Sequence, residues 1–141
     1  MILCDVNVLL YAFRKDATDH DKYLAWLEAV VNGDAAYGVS PQVIASVIRL
    51  STHPRVFARP SRLDEALAFS RALLEQPNCV IVNPGPRHGD LFARMCVAAN
   101  ATGNLVPDAW FAAMAVESGC EWITTDRDYA RFKGLRWRPP F

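Results

Sequence analysis

Four aspartates carry the chemistry this sequence could do. Asp5 interrupts the apolar opening MILCDVNVLLYAF, Asp108 begins DAWFAAMAVESG, and Asp126 and Asp128 lie two apart in WITTDRDYARF. Carboxylates crowded together repel one another and raise each other's pKa, and a bound divalent cation removes that cost. An all-oxygen cluster without His or Cys suits Mg²⁺ or Mn²⁺. Such a site does phosphoryl chemistry, in which the metal holds a water as nucleophile and neutralises charge on the departing oxygen.

Residues this far apart meet only if the intervening elements bring them together. The apolar, β-branched ILCDV reads as a buried strand and NVLLYAFR as a short helix. DHDKYLAWLEAVVN places Tyr23, Trp26, Leu27, Val30 and Val31 on one helical face, with Asp19 as N-cap and Gly33 as stop. AAYGVS reads as a second strand, PQVIASVIRLS as a helix with Pro41 in its first turn, and THPRVFARP as a connection. SRLDEALAFSRALLEQ reads as a helix capped by Ser61, with Leu63, Ala66, Leu67, Ser70, Leu73 and Leu74 on one face. NCVIVN reads as a third buried strand, RHGDLFARMCVAAN as a helix and ATGNLVP as a loop. A helix then starts at Asp108 and ends at Gly119. EWITTD is the fourth strand, RDYARF a helical turn, and LRW a last edge strand.

Strands alternating with helices favour a single α/β domain spanning residues 1–141. Its parallel sheet of four or five strands would be flanked by helices on both faces. In such a sheet every strand C-terminus lies along one edge, where ligands bind. Asp5 closes the first strand, Asp126 closes the fourth, and Asp108 opens the helix leading into the fourth. All three are therefore predicted at that edge, with Asp128 close by. Asp is also a preferred helix N-cap, worth about 0.5–2 kcal/mol over Ala. Capping would account for any one of the three, but less well for their sharing an edge. Asn7 either orients Asp5 by a hydrogen bond or is a turn residue.

Composition narrows the classes. With 52% hydrophobic and 21% charged residues, a sizeable core is expected and disorder is not. Net charge is zero, so any nucleic acid must be held by local basic patches. Cys4, Cys79, Cys96 and Cys120 form no C-x-x-C pair, so a zinc knuckle is not supported. The opening apolar run has no preceding basic region and contains Asp5, which argues against a signal peptide. No apolar run approaches the roughly 18 residues of a membrane span. A cytoplasmic protein with reduced, mostly buried thiols is the expectation, with no membrane partner.

MILCDVNVLLYAF, NLVPDAWFAAMAVESG and WITTDRDYARFKGLRW, in this order, resemble the three acidic motifs of PIN-domain ribonucleases. The similarity is greatest to VapC-like toxins of type II toxin–antitoxin pairs, and IRLSTHPRVF and PGPRHGDL look like one branch of them. The resemblance covers nearly the whole chain. It implies a Rossmann-like parallel sheet and Mg²⁺- or Mn²⁺-dependent endoribonuclease activity. It implies metal binding by Asp5, Asp108 and Asp126, with Asp128 as an accessory carboxylate. It also implies inhibition by a cognate VapB-like antitoxin, and homodimers are common among such toxins. One departure stands out. Many members carry a glutamate in the helix after the second strand, where this chain has Ser46 and no acid anywhere in that helix.

Basic residues cluster at Arg49, Arg55, Arg59, Arg62 and Arg71, and again at Arg127, Arg131, Lys133, Arg136 and Arg138. Such patches can hold an RNA backbone, although ordinary solvated arginines account for any one of them. Arg127 is placed to pair with the neighbouring carboxylates. Trp26, Trp110 and Trp122 read as core, and Trp137 as a possible stacking platform. His20, His53 and His88 lack metal-ligand spacing. Two competitors remain. One is a PIN-like module that has lost catalysis and acts through a protein partner. The other is a phosphotransfer receiver, which wants an acceptor Asp where the third strand instead runs into Asn83-Pro84.

Overall fold

The computed structural model describes all 141 residues. Five strands, β1 (Ile2–Cys4), β2 (Tyr37–Val39), β3 (Cys79–Ile81), β4 (Glu121–Ile123) and β5 (Trp137–Arg138), form one sheet in the order β3-β2-β1-β4-β5. Every pairing is parallel, with Leu3 opposite Gly38 on one side and Trp122 on the other. The helices are α1 (Val6–Phe13), α2 (His20–Val31), α3 (Pro41–Ser51), α4 (Leu63–Leu74), α5 (His88–Ala98) and α6 (Leu105–Ser118). A 3-10 turn spans Arg127–Arg131. Helix α1 packs on α2 and α3, α3 on α4, and α5 on α6, so the sheet is flanked by two helix sets.

The core lies where β1 and β4 meet these helices. Leu3, Val8, Met114, Trp122 and Ile123 are fully buried. Burying an aliphatic side chain of this size stabilises a fold by about 1.5–3 kcal/mol. Helix α6 buries Ala109 and the run from Phe111 to Ala115. Its alanines let one helix bury more than one face.

Several expectations shift. Helix α6 begins at Leu105, three residues before Asp108, because Pro107 sits comfortably in a first turn where its missing N–H costs nothing. Asp108 is therefore no cap. Strand β4 ends at Ile123, and Asp126 lies in the following turn rather than closing the strand. Strand β3 is an edge strand: Val80 and Ile81 are 42% and 48% exposed, so its apolar run does not mark a buried strand. Ser61 does not cap α4, whose first residue follows Arg62; its hydroxyl takes an N–H from Arg14 instead. Leu63 and Leu67 are exposed, and α4 buries Ala66, Ser70 and Leu73. Asp19 precedes α2 in a left-handed conformation and makes no capping bond, its carboxylate pairing with Lys22. Only Cys4 and Cys120 of the four thiols are buried. Trp137 belongs to β5 and packs on the core, so it is not a free stacking platform. No helix is long and apolar enough to cross a membrane.

Candidate active site

The end of β1 leads directly into α1, and Asp5 sits at the junction. Its N–H continues the sheet ladder to the Ile123 carbonyl at 2.9 Å. Its side chain caps α1: Oδ1 accepts from the Val6 N–H at 2.7 Å. Oδ2 accepts from Asn7 Nδ2 at 3.1 Å and from the Thr124 hydroxyl at 2.6 Å. Although three donors favour the anion, burial dominates and pushes this carboxyl up to about 6, with Asp108 and Asp126 adding to the rise.

Asp108 stands half-buried in the first turn of α6. Burial, then the charges of Asp126 and Asp128, push it up to about 6 as well. The Tyr129 hydroxyl donates to its Oδ1 at 3.4 Å. Asp126 caps the 3-10 turn, its Oδ1 accepting from the Asp128 N–H at 2.8 Å, while its own N–H donates to Thr124 Oγ1 at 3.0 Å. Asp5, Asp108 and Asp126 thus share one electrostatic neighbourhood. None of the three has a cationic partner. Asp128 is exposed and reaches Arg131 at 3.6 Å; Arg127 pairs with no carboxylate.

Asn7 is helical, which removes the turn reading, and it orients Asp5. Its Nδ2 also donates to Thr124 Oγ1 at 3.1 Å. That leaves Asn7 Oδ1 buried without a partner. Thr124, with 0% exposure, joins Asp5, Asn7 and Asp126 through one hydroxyl. Sequence reasoning overlooked both Thr124 and Tyr129. The signal for Thr124 was a small polar residue ending an apolar strand, in WITTD. Ser46 contributes nothing acidic: its hydroxyl donates to the Gln42 carbonyl of its own helix at 3.0 Å.

No group of three or more His, Cys, Asp or Glu side chains is drawn together closely enough to hold a metal ion directly. The oxygens present suit a cation that keeps much of its water, as Mg²⁺ does. A recess of about 420 Å³ lined by Arg14, Lys15, Asp16, Arg59 and neighbours contains none of the four aspartates. The histidines are occupied elsewhere: His20 with the Tyr11 carbonyl, His88 with that of Trp110, and His53 with the Arg55 N–H.

The PIN domain family profile matches residues 2–135. Ribonuclease VapC31 of Mycobacterium tuberculosis is 43% identical over 141 residues, covering 99% of each chain. Ribonuclease VapC25 of the same organism is also 43% identical, with the same coverage. Among solved structures, VapBC2 from Rickettsia felis bound to a DNA fragment from their promoter has the same fold. Its TM-score is 0.72 at 16% identity, covering 99% of this chain and 98% of that one. VapC20 of Mycobacterium tuberculosis, a sarcin-ricin loop cleaving toxin, matches with a TM-score of 0.65 at 14% identity, covering 96% and 99%. The full-length identity and the ordered acidic motifs agree: this chain belongs to the PIN-domain family, among its VapC-like ribonucleases.

Proposed function

We propose that this protein is the toxin of a type II toxin–antitoxin pair, a Mg²⁺- or Mn²⁺-dependent endoribonuclease acting in the cytoplasm. In this reading residues 1–141 work as one ribonuclease domain, with a VapB-like antitoxin as inhibitor and a second copy as dimer partner. Asp5, Asp108 and Asp126 hold the cation, and Asp128 is an accessory carboxylate. The observation that carries the reading is the convergence of three aspartates with no cation of their own. Two of them are held near 6 by burial and by their neighbours' charge. A structural cluster would be expected to include an arginine or lysine.

The donor set supports a hard divalent cation. Asp5 Oδ2 is saturated by Thr124 and Asn7, while Oδ1 has a lone pair left beyond the Val6 N–H. The buried, unpartnered Asn7 Oδ1 is an acceptor for an ordered water beside the carboxylates. When bound, the cation supplies charge against phosphate oxygens and makes water a competent nucleophile near neutral pH. The chain's part is orientation. Thr124 Oγ1 accepts from Asn7 and from the Asp126 N–H, so its one proton is committed to Asp5. Asp5 is thereby locked against rotation, and the turn bearing Asp126 is tied to it. Exposed Arg127 and Lys133 flank the turn without carboxylate partners and are available to RNA phosphates.

Sequencing of RNA ends after brief expression of the wild type and of Asp5→Ala tests the reading. Attack by water rather than by the 2′-hydroxyl leaves a 5′-phosphate and a 3′-hydroxyl. A 2′,3′-cyclic phosphate, or equal cleavage by Asp5→Ala, overturns it. A second reading, a weakened module acting mainly through its protein partner, is favoured by the acid-free α3 and by the Ser46 hydroxyl bonding only its own helix backbone. Calorimetric titration with Mn²⁺ separates the two, because absence of binding near neutral pH supports the module.

A further inference from the structure

Tyr129 lies in the same 3-10 turn as Asp128, just after Asp126, yet it is only 1% exposed. Its ring packs on Trp122 and Phe132, with centroids 5.5 and 5.8 Å away. Phenylalanine would fill that space equally well, so the hydroxyl is surplus to packing. A buried hydroxyl left unpaired costs about 1–3 kcal/mol, which makes its partner informative. That partner is Asp108 Oδ1, at a long 3.4 Å. Hydrogen bonds at catalytic sites are often long before the site is loaded and tighten afterwards. A phenol keeps its proton near neutral pH, so toward this carboxylate it acts as the donor.

The two buried carboxylates differ in support. Asp5 takes three donors, whereas the Tyr129 phenol is the one donor reaching the Asp108 side chain. Without it, the Asp108 carboxylate is free to rotate about its own side-chain bonds. We infer that Tyr129 is a positioning residue, whose hydroxyl fixes the Asp108 carboxylate of α6 toward the Asp126 side of the cluster. The inference rests on the metal-dependent reading above and extends it to a residue that touches no substrate.

The test measures Mn²⁺ affinity by electron paramagnetic resonance, which also reads weak binding. It uses the full chain as wild type, Tyr129→Phe, Asp108→Asn and the double variant. Tyr129→Phe should keep the wild-type melting temperature and weaken Mn²⁺ binding about 10-fold, the low end for residues that orient a ligand. RNA cleavage by Tyr129→Phe should need correspondingly more Mn²⁺ but reach a similar plateau. In the Asp108→Asn background, removing the hydroxyl should weaken binding no further. Equal affinity in wild type and Tyr129→Phe overturns the inference while leaving the metal reading intact. An undiminished loss in the Asp108→Asn background overturns it as well, since the hydroxyl then acts elsewhere. No Mn²⁺ binding by the wild type removes the metal reading and this inference together.

Discussion

Helix α1 has a buried charge at each end, and the two are treated in opposite ways. Arg14, just past its C-terminus, is 7% exposed, like Asp5 at its N-terminus. Each charge has the sign the helix dipole favours at its end. Arg14 is fully answered. Nε and Nη2 grip the Asp16 carboxylate, Nη1 meets Ser61 Oγ at 3.0 Å, Nη2 meets the Arg59 carbonyl at 3.0 Å, and the guanidinium lies 3.8 Å over Phe57. It staples the long connection between α3 and α4 to the end of α1. Asp5 is answered only by neutral donors and faces two more carboxylates, so its charge remains costly. A charge with every partner in place holds a fold together; a charge held among like charges carries a cost that a bound cation would relieve. Burial alone does not tell the two apart, whereas the sign of the neighbours does.

The sharpest way to break the contrast is to remove the poised end. Asp5→Ala and Asp108→Ala should each cut RNA cleavage by at least about 100-fold, comparable to losing a group that stabilises transition-state charge. Both variants should remain folded by circular dichroism. Full activity in either would place the chemistry elsewhere. Next comes Thr124→Val, which keeps the shape but removes the shared hydroxyl. It should lower cleavage about 10–100-fold, as expected for a residue orienting a metal ligand. Because it also strips the acceptor from the Asp126 N–H, its melting temperature should fall as well.

Breaking the stapled end should do the reverse. Arg14→Leu should cost about 2 kcal/mol in urea unfolding, the worth of the charge-assisted bonds from this buried guanidinium to Ser61 Oγ and the Arg59 carbonyl, while cleavage per folded molecule stays at the wild-type level. A selective loss of activity would show that the staple reaches the site. The last contrast concerns pH. Asp5 is raised from 3.8 to about 6 in the fold, so between those values the folded chain binds more protons than the unfolded one. The stability this group contributes is fully present below 3.8 and is lost as pH rises through about 6. Thermal melts of metal-free protein should therefore show wild type losing ground to Asp5→Asn as pH rises across that window. A constant difference would contradict the buried-carboxylate account.

Much of this was legible from residue types. The strand and helix order was written in periodicity, and Asp5 announced itself as a charge inside an apolar run. The boundary errors at Asp108, Asp126 and Asp19 were local, but several others share a cause in what lies beside an element. NCVIVN is apolar but lies at the sheet edge, Leu63 and Leu67 follow a helical period yet face outward, and Ser61 serves Arg14 rather than α4. Local pattern cannot state which face finds a partner, because burial is settled by segments distant in the chain.

Residue types and their spacing already contained the alternation of elements, the parallel sheet that follows from it, and the four acids with their order. How those acids are held came from packing. Thr124 lies 119 residues from Asp5 and Tyr129 lies 21 from Asp108. Their hydroxyls became partners only once β1 and β4 paired and α6 settled beside the turn. Hydrogen bonds act over about 3 Å, a range that chain connectivity does not specify and packing does.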